Sequence, residues 1–142
     1  MGAQGEFLVK YQGLLVNILS WDQLAEFWSR LDRHAGWYLY PVGHQLPKAT
    51  ARSEEVDRFI REVDTLLHQE HEEDYCGIVY ADDLEKPSFI KIYDPSNLGV
   101  SCGSSGGPIF PGWIMSLVPP VELEPEVTSN NRKRWWNSLF GS

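Results

Sequence analysis

Two spans of the chain repeat apolar residues at the spacing of a helix. In "SWDQLAEFWSRLDRHAGW", Leu24, Phe27, Trp28, Leu31 and Ala35 fall at i, i+3, i+4, i+7 and i+11, one stripe of a helical surface. Ser20 and Gln23 stand three apart ahead of that stripe, the spacing of a capping box, and Gly36 supplies a left-handed residue to end it. A second helix is expected from near Ser53. There Val56, Phe59, Ile60, Val63, Leu66 and Leu67 share one face, while Glu54, Glu55, Asp57, Arg58, Arg61 and Glu62 point away.

Elsewhere the period shortens toward two. Residues 6–19, "EFLVKYQGLLVNIL", read as strand material broken at Gly13, with Val9 and Tyr11 on one half-buried face. "WYLYPV" is a short aromatic strand stopped by Pro41 and Gly43. "YCGIVYADDLEKPSFIKIYDP" has the grammar of a hairpin, two β-rich runs around a turn holding Asp82, Asp83, Glu85, Lys86 and Pro87. "GWIMSLV" supplies a last strand before Pro119 and Pro120. No repeat and no second core is visible. The pattern therefore predicts one α+β domain over residues 1–120, an antiparallel or mixed sheet of about four to six strands covered by two amphipathic helices. Residues 121–142 are expected to form a C-terminal extension.

Composition narrows the function classes. The chain has 142 residues, enough for one domain with a substantial core, and its 42% hydrophobic and 23% charged content is that of a globular protein. Its net charge of −8 disfavours generic binding to nucleic acid or anionic lipid. Arg132, Lys133 and Arg134 stand together near the end with no acid after them, so residues 1–131 hold nine basic against twenty acidic side chains. An acidic body carries a basic tail. Cys76 and Cys102 are too few for a disulfide scaffold, no run approaches the length of a membrane span, and the start lacks the basic, then apolar, grammar of a signal peptide. A soluble, cytoplasmic protein with reduced thiols is the expectation.

The densest motif is "SCGSSGGPIFPGW", Ser101 to Trp113. Its Gly-Ser-Ser-Gly-Gly-Pro resembles the nucleophile loop of chymotrypsin-like serine proteases. That resemblance implies Ser105 as nucleophile and the amides of Gly103 and Ser105 as oxyanion donors. A serine also needs a base and an orienting acid; His44 is the available base, with Asp74, Asp82, Asp83 or Asp94 as acid. Two amphipathic helices in the first half leave too little chain for that family's paired barrels, and the resemblance covers six residues rich in turn formers. No catalytic residue is therefore assigned. The loop is read instead as a candidate ligand site, in which Gly103, Ser104, Ser105, Gly106 and Gly107 gather backbone N–H groups into a nest for a small anion.

Other constellations read as structural. His68, His71, Cys76 and Cys102 are zinc-ligand types, but helical geometry splits the two histidines and the thiols lack paired spacing, so no metal and no cofactor is expected. Trp37, Tyr38, Tyr40, Tyr80 and Tyr93 read as core aromatics with the capacity to line a pocket. The end of the chain is different. Arg132, Lys133 and Arg134 precede Trp135, Trp136 and Phe140, a basic-aromatic segment suited to docking on a protein partner, on its own body or on a second copy. The expected function is a small, acidic, non-catalytic binding or protein-interaction module, with a small serine hydrolase as the alternative.

Overall fold

Five short strands pair into a single antiparallel sheet among the described residues: β1 (Val16–Ile18), β2 (Tyr38–Pro41), β3 (Val79–Ala81), β4 (Phe89–Ile92) and β5 (Trp113–Ser116), in the order β1-β3-β4-β5-β2. The computed structural model describes residues 3–71, 73–98, 110–123 and 130–140, the side chains at 3, 4, 97, 98 and 130–133 excepted. Between and around the strands lie α1 (Ala3–Gln12), α2 (Trp21–Arg30), α3 (Ser53–Glu70), the single turn α4 (Pro95–Leu98) and α5 (Asn130–Phe140). The α+β architecture inferred from the periodicities is the one observed.

Alternation along the strands divides the interior in two. Ile18, Leu39, Val79, Ala81, Ile90, Ile92, Trp113 and Met115 face α2 and α3, whose stripes Leu24, Phe27, Trp28 and Val56 to Leu67 complete the larger core. Tyr40, Phe89 and Ile114 point to the other side, where Phe7 of α1 closes over them. Burial on both sides explains why all four residues of β5, Trp-Ile-Met-Ser, are buried. The hairpin β3–β4 pairs Val79 with Ile92 and Ala81 with Ile90. Its turn acids hold the loop closed: Asp82 accepts from the Ser88 and Phe89 amides at 2.8 and 3.1 Å, and Asp83 from the Glu85 and Lys86 amides at 2.7 and 3.1 Å. Those two N–H donors hold the Asp83 carboxyl below its ordinary range.

The helix caps follow the sequence with one shift. The Ser20 hydroxyl accepts from Gln23 N at 3.0 Å, and the Gln23 amide accepts from Leu19 N at 3.1 Å. The helix nevertheless ends at Arg30 and not near Ala35. Arg33 turns back to donate to the carbonyls of Trp28 and Leu31 and lies 3.4 Å from Asp57 of α3, satisfying the last turn from two residues after the cap. Gly36, at φ 92°, serves the following turn. Further along, α3 opens with Arg52 N donating to Glu55 at 2.8 Å.

The larger correction concerns residues 6–19. Ala3–Gln12 is helical and only Val16–Ile18 is strand. Phe7 and Tyr11, four apart, stack at 6.3 Å and place one helical face on the sheet, where Phe7 meets Phe89 at 5.3 Å. Tertiary packing overrode a β-rich local composition. Thus the sheet is covered by helices on both sides, not by two alone. At the far end of the chain α5 lies against α3: Trp135 sits 5.2 Å from Trp113 and Trp136 6.0 Å from Phe59. No described helix is long and apolar enough to cross a membrane.

Candidate functional site

The packing of α1 decides what its neighbours expose. With Phe7 and Tyr11 turned to the sheet, Leu8 and Val9 are left on the solvent side, Val9 71% exposed. Gly13 then ends the helix, its N–H reaching the Lys10 carbonyl at 3.2 Å. Leu15 turns inward to the second face of the sheet, and Leu14 beside it is 99% exposed. In β1 the side chains alternate: Ile18 is buried under the helices, and Val16 shares its face but lies beyond their cover. Leu19 follows at 59% exposure. Of the exposed large hydrophobic residues among those described, only Tyr75 lies outside residues 8–19.

This apolar run borders an open strand edge. β1 is hydrogen-bonded to β3 and, among the described residues, to no strand on its other side. The opposite edge strand, β2, is closed by Pro41, which has no N–H, and three of its four residues are buried. β1 carries neither proline nor charge, the usual devices that blunt an edge. Beyond Leu19 the chain meets an acidic segment: Leu19 accepts from Cys76 N at 2.7 Å, and the Trp21 indole donates to the Glu73 carbonyl at 3.1 Å. Glu73, Asp74 and Tyr75 there are exposed. The result is an apolar edge with acids at one end.

The histidines and Cys76 are absorbed by structure. His68 stacks on Trp21 at 4.2 Å and lies 3.6 Å from Asp64, and His71 Nε2 bonds the Cys76 carbonyl at 2.8 Å. Cys76 is fully buried, and burial pushes its thiol up against the opposing pull of the Ile78 and Val79 amides. Among the described residues no group of three or more His, Cys, Asp or Glu side chains is placed to hold a metal. Trp37 is core, its indole bonded to the Asp32 carbonyl at 2.8 Å, and Tyr40 accepts from Leu123 N at 2.8 Å. Tyr80 and Tyr93 are half-buried on the second face, 5.7 Å apart.

The nest residues Gly103, Ser104, Ser105, Gly106 and Gly107, and Cys102, lie outside the described residues. Two groups weighed as their partners gather at one end of the sheet. His44 follows β2, and buried Asp94 follows β4, capping α4 through Ser96 N and Oγ at 2.9 and 2.8 Å. Of the tail residues, Trp135, Trp136 and Phe140 pack on the body's own core, while Arg134 is exposed; the side chains of Arg132 and Lys133 are not described. The edge of β1 escaped the sequence reading because Leu14, Val16 and Leu19 look like core residues until α1 is known to be a helix. Comparison with protein-family models, with curated proteins and with solved structures finds no match to this chain.

Proposed function

We propose that this chain is a non-catalytic protein-interaction module that accepts an extended segment of a protein partner along β1. One observation carries the reading: exposed apolar side chains concentrate in residues 8–19, beside a strand edge that no described residue blunts. Added-strand recognition takes affinity from backbone hydrogen bonds and specificity from alternate side chains. The Glu73–Asp74 segment at the end of the edge favours a partner strand that is apolar with a lysine or arginine at its end. The net charge of −8 weighs against nucleic acid as that partner. Two cysteines, one fully buried, fit a cytoplasmic adaptor or regulatory role.

A photo-crosslinking residue at position 14 tests this, used in the organism's own extract. A discrete adduct is expected, absent when the crosslinker sits at Arg58 and lost with Asn17→Pro, provided that variant keeps the native circular dichroism. Adducts that survive Asn17→Pro would sink it. The hydrolase alternative is separated by a serine-directed phosphonylating reagent: the module reading expects no stoichiometric label at Ser105, and a label lost in Ser105→Ala would replace that reading with catalysis.

A further inference from the structure

Where α5 lies against α3, the surface dips into an open groove of about 720 Å³. One wall is the charged outer face of α3, and Leu139 and Phe140 from the last turn of α5 supply an apolar side. Leu139 is buried there, and the half-buried Phe140 ring is held 4.5 Å from Trp136.

The groove is lined by three arginines and three glutamates, so its net charge favours neither a simple anion nor a simple cation. The order of charges along the helix decides which of them are already tied. An acid four residues ahead of a base is the favoured order on a helix. Glu26 closes on Arg30 in α2 at 3.3 Å and Asp57 on Arg61 in α3 at 3.0 Å. At the start of α3, Arg52 lies 3.7 Å from Glu55, and Glu54 accepts from the Ser53 hydroxyl at 3.4 Å. Arg58 and Glu62 are also four apart, but with the base first, the poorer order. Neither forms an ion pair among the described residues, and both line the groove. One guanidinium and one carboxylate, a helical turn apart, are thus left open beside an apolar side.

We propose that Arg58, Glu62, Leu139 and Phe140 form a site for a free α-amino acid with an aromatic side chain. Its α-carboxylate takes the Arg58 guanidinium, a planar fork suited to a two-point contact. Its α-ammonium takes the Glu62 carboxylate, and its ring lies along Phe140 and Leu139. The spacing fits: side chains at i and i+4 start about 5–6 Å apart, and the two charged groups of an amino acid share one carbon between them. Both protein charges stand in water, so each contact is weak, and the demand for both at once selects a zwitterion over a simple acid or amine. The site uses no residue of β1 and is independent of the edge-pairing reading.

The test titrates the full chain with L-phenylalanine, followed by the NMR signals of the Arg58 Nε–H group and of the Glu62 side chain. Saturable shifts with Kd between about 1 and 10 mM are expected. N-acetyl-phenylalanine lacks the ammonium and phenylalanine amide lacks the carboxylate; each is expected to bind at least about three-fold more weakly. The decisive variant exchanges the two charges, Arg58→Glu with Glu62→Arg. It keeps the composition of the groove but sets the acid first, so the pair closes on itself. Binding is then expected to fall at least about three-fold, with no loss of melting temperature. Arg58→Gln alone is expected to weaken binding by a similar factor, which guards against a folding artefact in the double variant. No shift at Arg58 or Glu62 up to about 50 mM L-phenylalanine overturns the proposal. Equal affinity for the acetylated or amidated form overturns it too, as does equal affinity in the charge-exchanged variant.

Discussion

Replacing Trp135 and Trp136 by alanine asks whether α5 is part of the folded body. Trp135 pairs with Trp113, which is 3% exposed, and Trp136 contacts Phe59 and, at 4.5 Å, Phe140. Truncating a fully buried tryptophan costs about 3–5 kcal/mol. Both side chains here are half-buried, so roughly half of that applies, and each ring pair adds about 0.5–1.5 kcal/mol beyond area. Trp135→Ala is therefore expected to cost about 2–4 kcal/mol, and Trp136→Ala, with two ring pairs, at least as much. The pair should cost less than the sum, because the first loss already loosens the helix that presents the second. Urea unfolding followed by circular dichroism gives these values, with an unchanged denaturant slope for the intact fold. Losses under about 0.5 kcal/mol, the range of ordinary surface substitutions, would mean that residues 130–140 do not pack as described.

Two further outcomes follow from local geometry. A Cβ at Gly112 would meet Asp94 Cβ at 2.9 Å, and Gly112 also bonds Ile92 and Val42 through its N–H and carbonyl at 2.9 and 3.0 Å; Gly112→Ala should cost about 1–3 kcal/mol in the same unfolding assay, and a neutral result would deny that close approach. Burial first, then the neighbouring Tyr93 and Tyr40 phenols, raises the Tyr11 hydroxyl to about 12. An unfolded tyrosine loses its proton near pH 10, so the native state holds a proton that the unfolded state gives up. Stability from this group is complete below about pH 10 and declines as pH rises toward about 12. Phenolate absorbance with and without Tyr11→Phe checks it; a Tyr11 titrating with the exposed tyrosines would contradict the packing of α1.

What the sequence yields here depends on whether one local period decides the matter. The stripes of α2 and α3 and the hairpin around Asp82 and Asp83 are visible because amphipathic period and turn chemistry agree with the final packing. Residues 6–19 are misleading because Val9, Val16 and Ile18 are β-formers in composition, whereas Phe7 and Tyr11 at helical spacing do the packing, and only the finished sheet shows which pair matters. The second face has the same difficulty: β5 reads as apolar throughout, and nothing local says that the face of Ile114 is covered as well as that of Trp113 and Met115. The candidate site inherits that dependence. The exposure of Leu14, Val16 and Leu19 follows from α1 being a helix.

The most direct measurement of the central claim is amide hydrogen exchange on the chain alone and in complex with the partner captured through position 14. Slowed exchange confined to residues 14–19, with α3 and α5 unchanged, is the outcome expected if a partner strand adds to the edge of β1. Protection centred on residues 130–140, with 14–19 exchanging as in the free chain, would contradict it.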